Sequence, residues 1–176
     1  IAGELKSDII ISLMEHRISL YSAHTNLDKA CYRTLGEALG LPAGEVLIET
    51  GPTGENQVSG FGMLSVLPQP LPLATILSLV RERLKLEFIT YTGDDGMSVR
   101  KVALMNGAGG SSIEKIIRSH RPDCIITGDV GYHHMQAARE AGIAVIDAGH
   151  YGTETVLVDH LHTELDRSIA ESGHGS

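Results

Sequence analysis

Histidines and carboxylates recur together where apolar runs stop. After "ISLYSA" come His24, Thr25, Asn26 and Asp28; after "CIIT" come Gly128, Asp129 and then His133 and His134; after "IAVI" come Asp147, His150 and Glu154. A fourth run, "VALM", ends in Asn106, Gly107, Ala108, Gly109, Gly110 and Ser111. Three of these four ends thus carry both residue types. Neutral imidazole and carboxylate oxygen together suit zinc, manganese, iron and similar divalent ions. His150 and Glu154 share a face if a helix begins by Gly149, since positions i and i+4 are neighbours on a helix. The plain alternative is that the pair caps and solvates a helix start, and only the recurrence favours a site.

Other residues at these ends have ordinary uses as well. Asp28 is a good N-cap for a following helix. His24 is either a loop histidine or a group that orients a ligand. Asp129 in "TGD" reads equally as a turn residue or an active one. His133 and His134 point apart on a helix, so at most one faces a common site. "NGAGGSS" suits either a helix start that offers backbone N–H groups to an anion or a tight turn needing small residues. It is neither a P-loop nor a strict G-x-G-x-x-G. Without a G-x-S-x-G elbow or a cysteine near a histidine, any catalysis is expected to use metal-activated water.

Strand and helix periodicities alternate along the chain. "LKSDIIISLMEHR" reads as a helix, "ISLYSA" as a strand and residues 29–39 as a helix stopped by Gly40 and Pro42. "EVLIET" and "VSGFGMLSVL" read as strands around the turn-rich "GPTGEN", and a helix follows "LPQPLPL". "LEFITYTG" and "VRKVALMNG" read as strands flanking "DDG". Three βα units follow, the last helix starting near Thr153. This alternation predicts an α/β fold, a mostly parallel sheet flanked by helices in one domain over 1–176. Residues 51–91 interrupt the alternation and are expected to form a small inserted lobe. The helix at Ile1 lacks a leading strand, so further chain is expected ahead of it.

Among the 176 residues the formal charge is −8 with no basic stripe, which argues against nucleic acid as a partner. Cys31 and Cys124 lack a CxxC spacing, and Cys124 in "CIITG" is expected to be a buried thiol. With no apolar run of about 18 residues and no signal-peptide pattern, the sequence predicts no membrane association and a cytoplasmic location.

"YSAHTNLD" at 21–28, "NGAGGS" at 106–111 and "TGDVGYHHMQAAREAGIAVIDAGHYGTE" at 127–154 resemble the NIF-three-like family, whose members carry the name GTP cyclohydrolase 1 type 2. The resemblance implies an α/β fold, two divalent metal ions per subunit and ring-shaped homohexamers. It implies Asp28, His150 and Glu154 as metal ligands, with His24 and His133 beside the site in catalytic roles. It further implies a hydrolase of GTP or a related nucleotide, with Gly107, Gly109 and Gly110 holding the phosphates of that small phosphorylated substrate. The family's paired-histidine motif, typically "HHP", belongs ahead of the first residue here, and "KACYRTL" replaces the "GGVN" that usually follows the aspartate. The visible ligand set is therefore partial. A dinuclear metal phosphoesterase and a non-catalytic metal-binding scaffold are the alternatives.

Overall fold

The computed structural model describes residues 5–52 and 58–173. Helix α1 (Leu5–Glu15) opens the chain, followed by α2 (Thr25–Ala30) and α3 (Thr34–Ala38). Strands β1 (Glu45–Pro52) and β2 (Val58–Pro72) lead into α4 (Leu73–Arg83), short β3 (Thr90–Thr92) and β4 (Ser98–Ala108). A 3-10 turn at Gly110–Ser112 starts α5 (Ile113–His120), and β5 (Cys124–Gly128), α6 (Tyr132–Glu140), β6 (Ala144–Asp147) and α7 (His150–Ser172) complete the order.

The six strands form one sheet in the order β1-β2-β4-β5-β6-β3. β4, β5 and β6 pair in parallel, as the βα alternation predicts. The other three pairings, β1 with β2, β2 with β4 and β3 with β6, are antiparallel. The α/β class with flanking helices holds, while "mostly parallel" holds for strand direction only and gives way to a mixed sheet in pairing. The reason is local: only five residues separate β1 from β2, too few for the crossover that a parallel pair needs, so the two pair as neighbours in antiparallel fashion.

Both sheet faces are covered, which is why the parallel strands read as unbroken apolar runs. Along β4, β5 and β6, Val102, Leu104, Cys124, Ile126, Ala144 and Ile146 join Leu35, Leu73, Ile76 and Val80 in one core. The alternate residues Ala103, Ile125 and Val145 pack with Ile113, Ile116 and Ala138 beneath α5 and α6. Period-2 alternation thus sorts side chains between two cores.

The described residues of the 51–91 segment, expected as an inserted lobe, join the common sheet and core. β2 lies inside the sheet between β1 and β4, and α4 buries Leu73, Ile76, Leu77 and Val80 in the common core. The prolines at 68 and 70 sit where the β2–β4 register shifts, a bulge that lets one strand run on to Pro72. Residues 53–56 of the expected "GPTGEN" turn lie outside the described residues. "ISLYSA" is not a strand: it has alternation but, among the described residues, no neighbouring strand to pair with, and Leu20 and Tyr21 are exposed. The helix expected over 29–39 is two short ones broken at residues 31–33. Among the described residues, no helix is long and apolar enough to cross a membrane.

Candidate metal centre

The carboxyl ends of β4, β5 and β6 lie side by side, with Ala108 opposite Gly128 and Thr127 opposite Asp147. α7 starts at His150, three residues before the position that the sequence suggested. That early start puts His150 and Glu154 one turn apart on the same helix face. Their side chains meet, His150 Nε2 to Glu154 Oε1 at 3.1 Å. On its other side the imidazole Nδ1–H donates to Asp129 Oδ2 at 2.7 Å. Asp129 reaches it from a left-handed turn (φ 56°), a conformation that Asp tolerates better than most residues.

Asp28, more than a hundred residues away in sequence, enters the same cavity. α2 lies against β2, where the Lys29 ammonium sits 5.2 Å from the centroid of the Phe61 ring. Phe61 and Ile48 line this cavity together with Asp28, His24, His150 and Glu154. The volume is about 360 Å³. Burial raises the Asp28 pKa, the Glu154 carboxylate raises it further, and His24 and His150 offset part of that. The His150 pKa is raised chiefly by its hydrogen bond to Asp129, against desolvation and with help from Glu154. These groups sense one another through space.

Three further contacts fix the floor. Gly107 (φ +60°) leaves room that a side chain would take: a Cβ there would stand 2.3 Å from Glu154 Oε1 and 3.1 Å from His150 Nε2. The Gly107 N–H donates to Thr153 Oγ1 at 2.9 Å, and Thr153, fully buried, turns its hydroxyl to the carbonyls of Gly149 and His150. Asp147 accepts from the backbone N–H of Val130 and of Gly149, both at 2.9 Å. It clamps two loops and leaves the cavity to others.

The sequence-predicted residues divide accordingly. His24, Asp28, His150 and Glu154 line the cavity, whereas His133 does not; it is exposed and stacks edge-on against Tyr132. In the glycine loop, expected to hold phosphates, the Gly107 N–H is held by Thr153 and the Gly109 N–H donates to Gly107 O, and a Cβ at Gly109 or Gly110 would strike Thr127 or the Asp129 carbonyl. These glycines are small because strands and loops pack against them. Asp129 and Thr153 gain roles that no spacing rule announced.

The donor chemistry fits a divalent cation: two carboxylates and two imidazoles line one cavity, and the missing side chain at Gly107 lets Glu154 and His150 approach its backbone. The fit is partial, because no group of three or more His, Cys, Asp or Glu among the described residues is drawn together tightly enough to hold a metal ion.

The model of the Duf34/NIF3 (NGG1p interacting factor 3) family matches residues 2–174. A Clostridium acetobutylicum protein named GTP cyclohydrolase 1 type 2 homolog is 33% identical over 167 residues, covering 93% of this chain and 61% of that protein. The Schizosaccharomyces pombe protein named Protein NIF3 homolog is 28% identical over 173 residues, covering 94% of this chain and 60% of its own. The chain thus spans about three fifths of the length of these relatives. The fold is that of Staphylococcus aureus protein SA1388, with a TM-score of 0.86 at 19% identity, covering 98% of this chain and 69% of that one. The structure of reduced HcgD from Methanocaldococcus jannaschii matches with a TM-score of 0.72 at 26% identity, covering 94% of this chain and 63% of its own. On the family match across nearly all of its length, the chain belongs to the Duf34/NIF3 family.

Proposed function

We propose that this chain is the metal-binding part of a hydrolase that acts on GTP or a related nucleotide. The observation that carries this reading is the convergence of Asp28, His24, His150 and Glu154 on one cavity from opposite ends of the sequence. The name GTP cyclohydrolase 1 type 2 homolog, carried by several relatives, supports the substrate class. Asp28, His150 and Glu154 would hold a divalent ion such as zinc, iron or manganese. Such an ion supplies Lewis acidity and makes water nucleophilic near neutral pH.

The chain's own residues do the rest. Asp129 orients the His150 ring, and Thr153 fixes the turn that presents it. His24 has its Nδ1 engaged with the Thr25 hydroxyl at 2.8 Å, which leaves Nε2 to exchange a proton with substrate. We also propose a cytoplasmic homo-oligomer, a hexamer by resemblance, consistent with the exposed Ile9, Ile10, Met14 and Ile18 of the first helix and the residues after it. Light scattering at micromolar concentration is expected to give a mass several times 18.8 kDa.

The deciding assay incubates metal-loaded protein with GTP and follows formate. Release that stops on chelation is the expected result. Metal uptake without turnover of GTP would favour a scaffold instead.

A further inference from the structure

The cavity has further polar lining. Besides the carboxylates and imidazoles it is lined by Lys115, Ser112 and Asn106, and among the described residues no other Lys or Arg contributes to it. Lys115 makes no ion pair or hydrogen bond among the described residues, and the charges acting on Asp28 are those of Glu154, His24 and His150. Its ammonium is therefore not spent on the acidic pair of the same cavity. Asn106 Nδ2 is buried and has no hydrogen-bond partner. A buried amide donor left unpaired costs free energy, and Asn106 is among the residues that line this cavity, so an acceptor entering there would relieve that cost. The Ser112 hydroxyl adds a third donor, at the start of α5.

We propose that Lys115, Ser112 and Asn106 form the subsite for a phosphate group of the substrate. This rests on the functional reading above for the identity of what carries the phosphate. Three donors of different type around one void suit a tetrahedral oxyanion, which offers several acceptor oxygens and a charge for the ammonium. The same cavity also holds Asp28, His150 and Glu154, so it offers donors for a cation and for an anion together, and a metal-bound phosphorylated small molecule would meet complementary charge at both.

The test uses inorganic phosphate as probe, titrated into metal-free protein at low ionic strength and followed by calorimetry. Metal uptake is measured separately by elemental analysis. Lys115→Met is expected to weaken phosphate binding by roughly tenfold or more, the scale of one charge-assisted hydrogen bond, and Lys115→Arg to retain most of it. Glu154→Gln is expected to do the opposite, strengthening phosphate binding by removing a repelling charge while losing metal. Both variants alter exposed or half-buried side chains, and far-UV circular dichroism confirms that each is folded. Equal phosphate affinity in wild type and Lys115→Met overturns the proposal, as does a wild type that binds no phosphate. Loss of metal uptake in the wild type with Lys115-dependent phosphate binding intact would overturn the metal reading and leave the phosphate subsite standing.

Discussion

The Asp129 carboxylate and the His150 imidazole are joined at 2.7 Å through Nδ1, and this single contact decides which nitrogen faces the cavity. With Nδ1–H committed, Nε2 is the atom turned to Glu154, 3.1 Å away. A carboxylate behind a metal-bound histidine fixes its tautomer and raises its basicity, and removing such a partner costs about 10- to 100-fold in metal affinity. Asp129→Asn is the clean probe, because Asn also tolerates the left-handed turn at this position. It is expected to lower zinc affinity about tenfold in a competition titration with a chromogenic chelator, with little change in melting temperature. Unchanged affinity would mean that His150 is not a ligand.

Thr153 predicts a different failure. Its hydroxyl accepts from the Gly107 N–H and faces two carbonyls of the α7 start, all in a fully buried position. Thr153→Val keeps the shape and deletes the hydroxyl, leaving the Gly107 N–H without a partner. A loss of about 1–3 kcal/mol in urea unfolding is expected. The Gly107 amide is expected to exchange its hydrogen faster in the Val variant, whereas Thr153→Ser, which keeps the hydroxyl, is expected to preserve the protection.

Cys124 gives a pH dependence. Burial pushes its thiol pKa far up, and Asp123 adds to the shift. The folded protein therefore keeps the proton where an unfolded thiol, with a pKa of about 8.5, releases it. The stability contributed by the neutral thiol is fully present below that value and is lost as pH rises above it, by about 1.4 kcal/mol per pH unit. Urea unfolding between pH 8 and pH 10 is expected to show this slope in the wild type and a shallower one in Cys124→Ala. Equal slopes would show that the thiol ionises in the fold.

How far these features could be read from the chain follows physical lines. β4, β5 and β6 were legible because each is buried on both faces and reads as an apolar run. Their neighbours were not, since strand order depends on pairings such as Tyr91 with Ile146 that no local pattern encodes. "ISLYSA" shows the converse, alternation without a partner. At the site, the i, i+4 spacing of His150 and Glu154 was visible, but Asp28 arrives through the docking of α2 on Phe61, a tertiary event. Asp129 acts through a turn whose handedness the sequence leaves open. The glycine loop stayed open to two readings, because glycines that admit close packing and glycines that bind anions look alike in sequence. Lys115 carried no signal at all, being one lysine on an otherwise ordinary helix.

The number of metal ions follows from counting ligands. A structural zinc takes about four protein ligands and a catalytic one about three with water, so two ions want roughly five or more even when a carboxylate bridges them. The cavity offers Asp28, His150 and Glu154, with His24 beside them, and no tighter group occurs among the described residues. The chain of 176 residues is therefore expected to bind at most one divalent ion with useful affinity. Glu154→Gln removes one of its two carboxylates with almost no change of shape, and it also relieves the repulsion that helps to raise the Asp28 pKa. Metal binding is expected to vanish while the melting temperature stays within a few degrees of the wild type, because the side chain is half-exposed and its deleted charge was unfavourable to its neighbour. Elemental analysis after dialysis against zinc reads the stoichiometry directly. Two ions retained per chain would mean that further residues act as ligands, with Asp129 and His24 the nearest to reconsider.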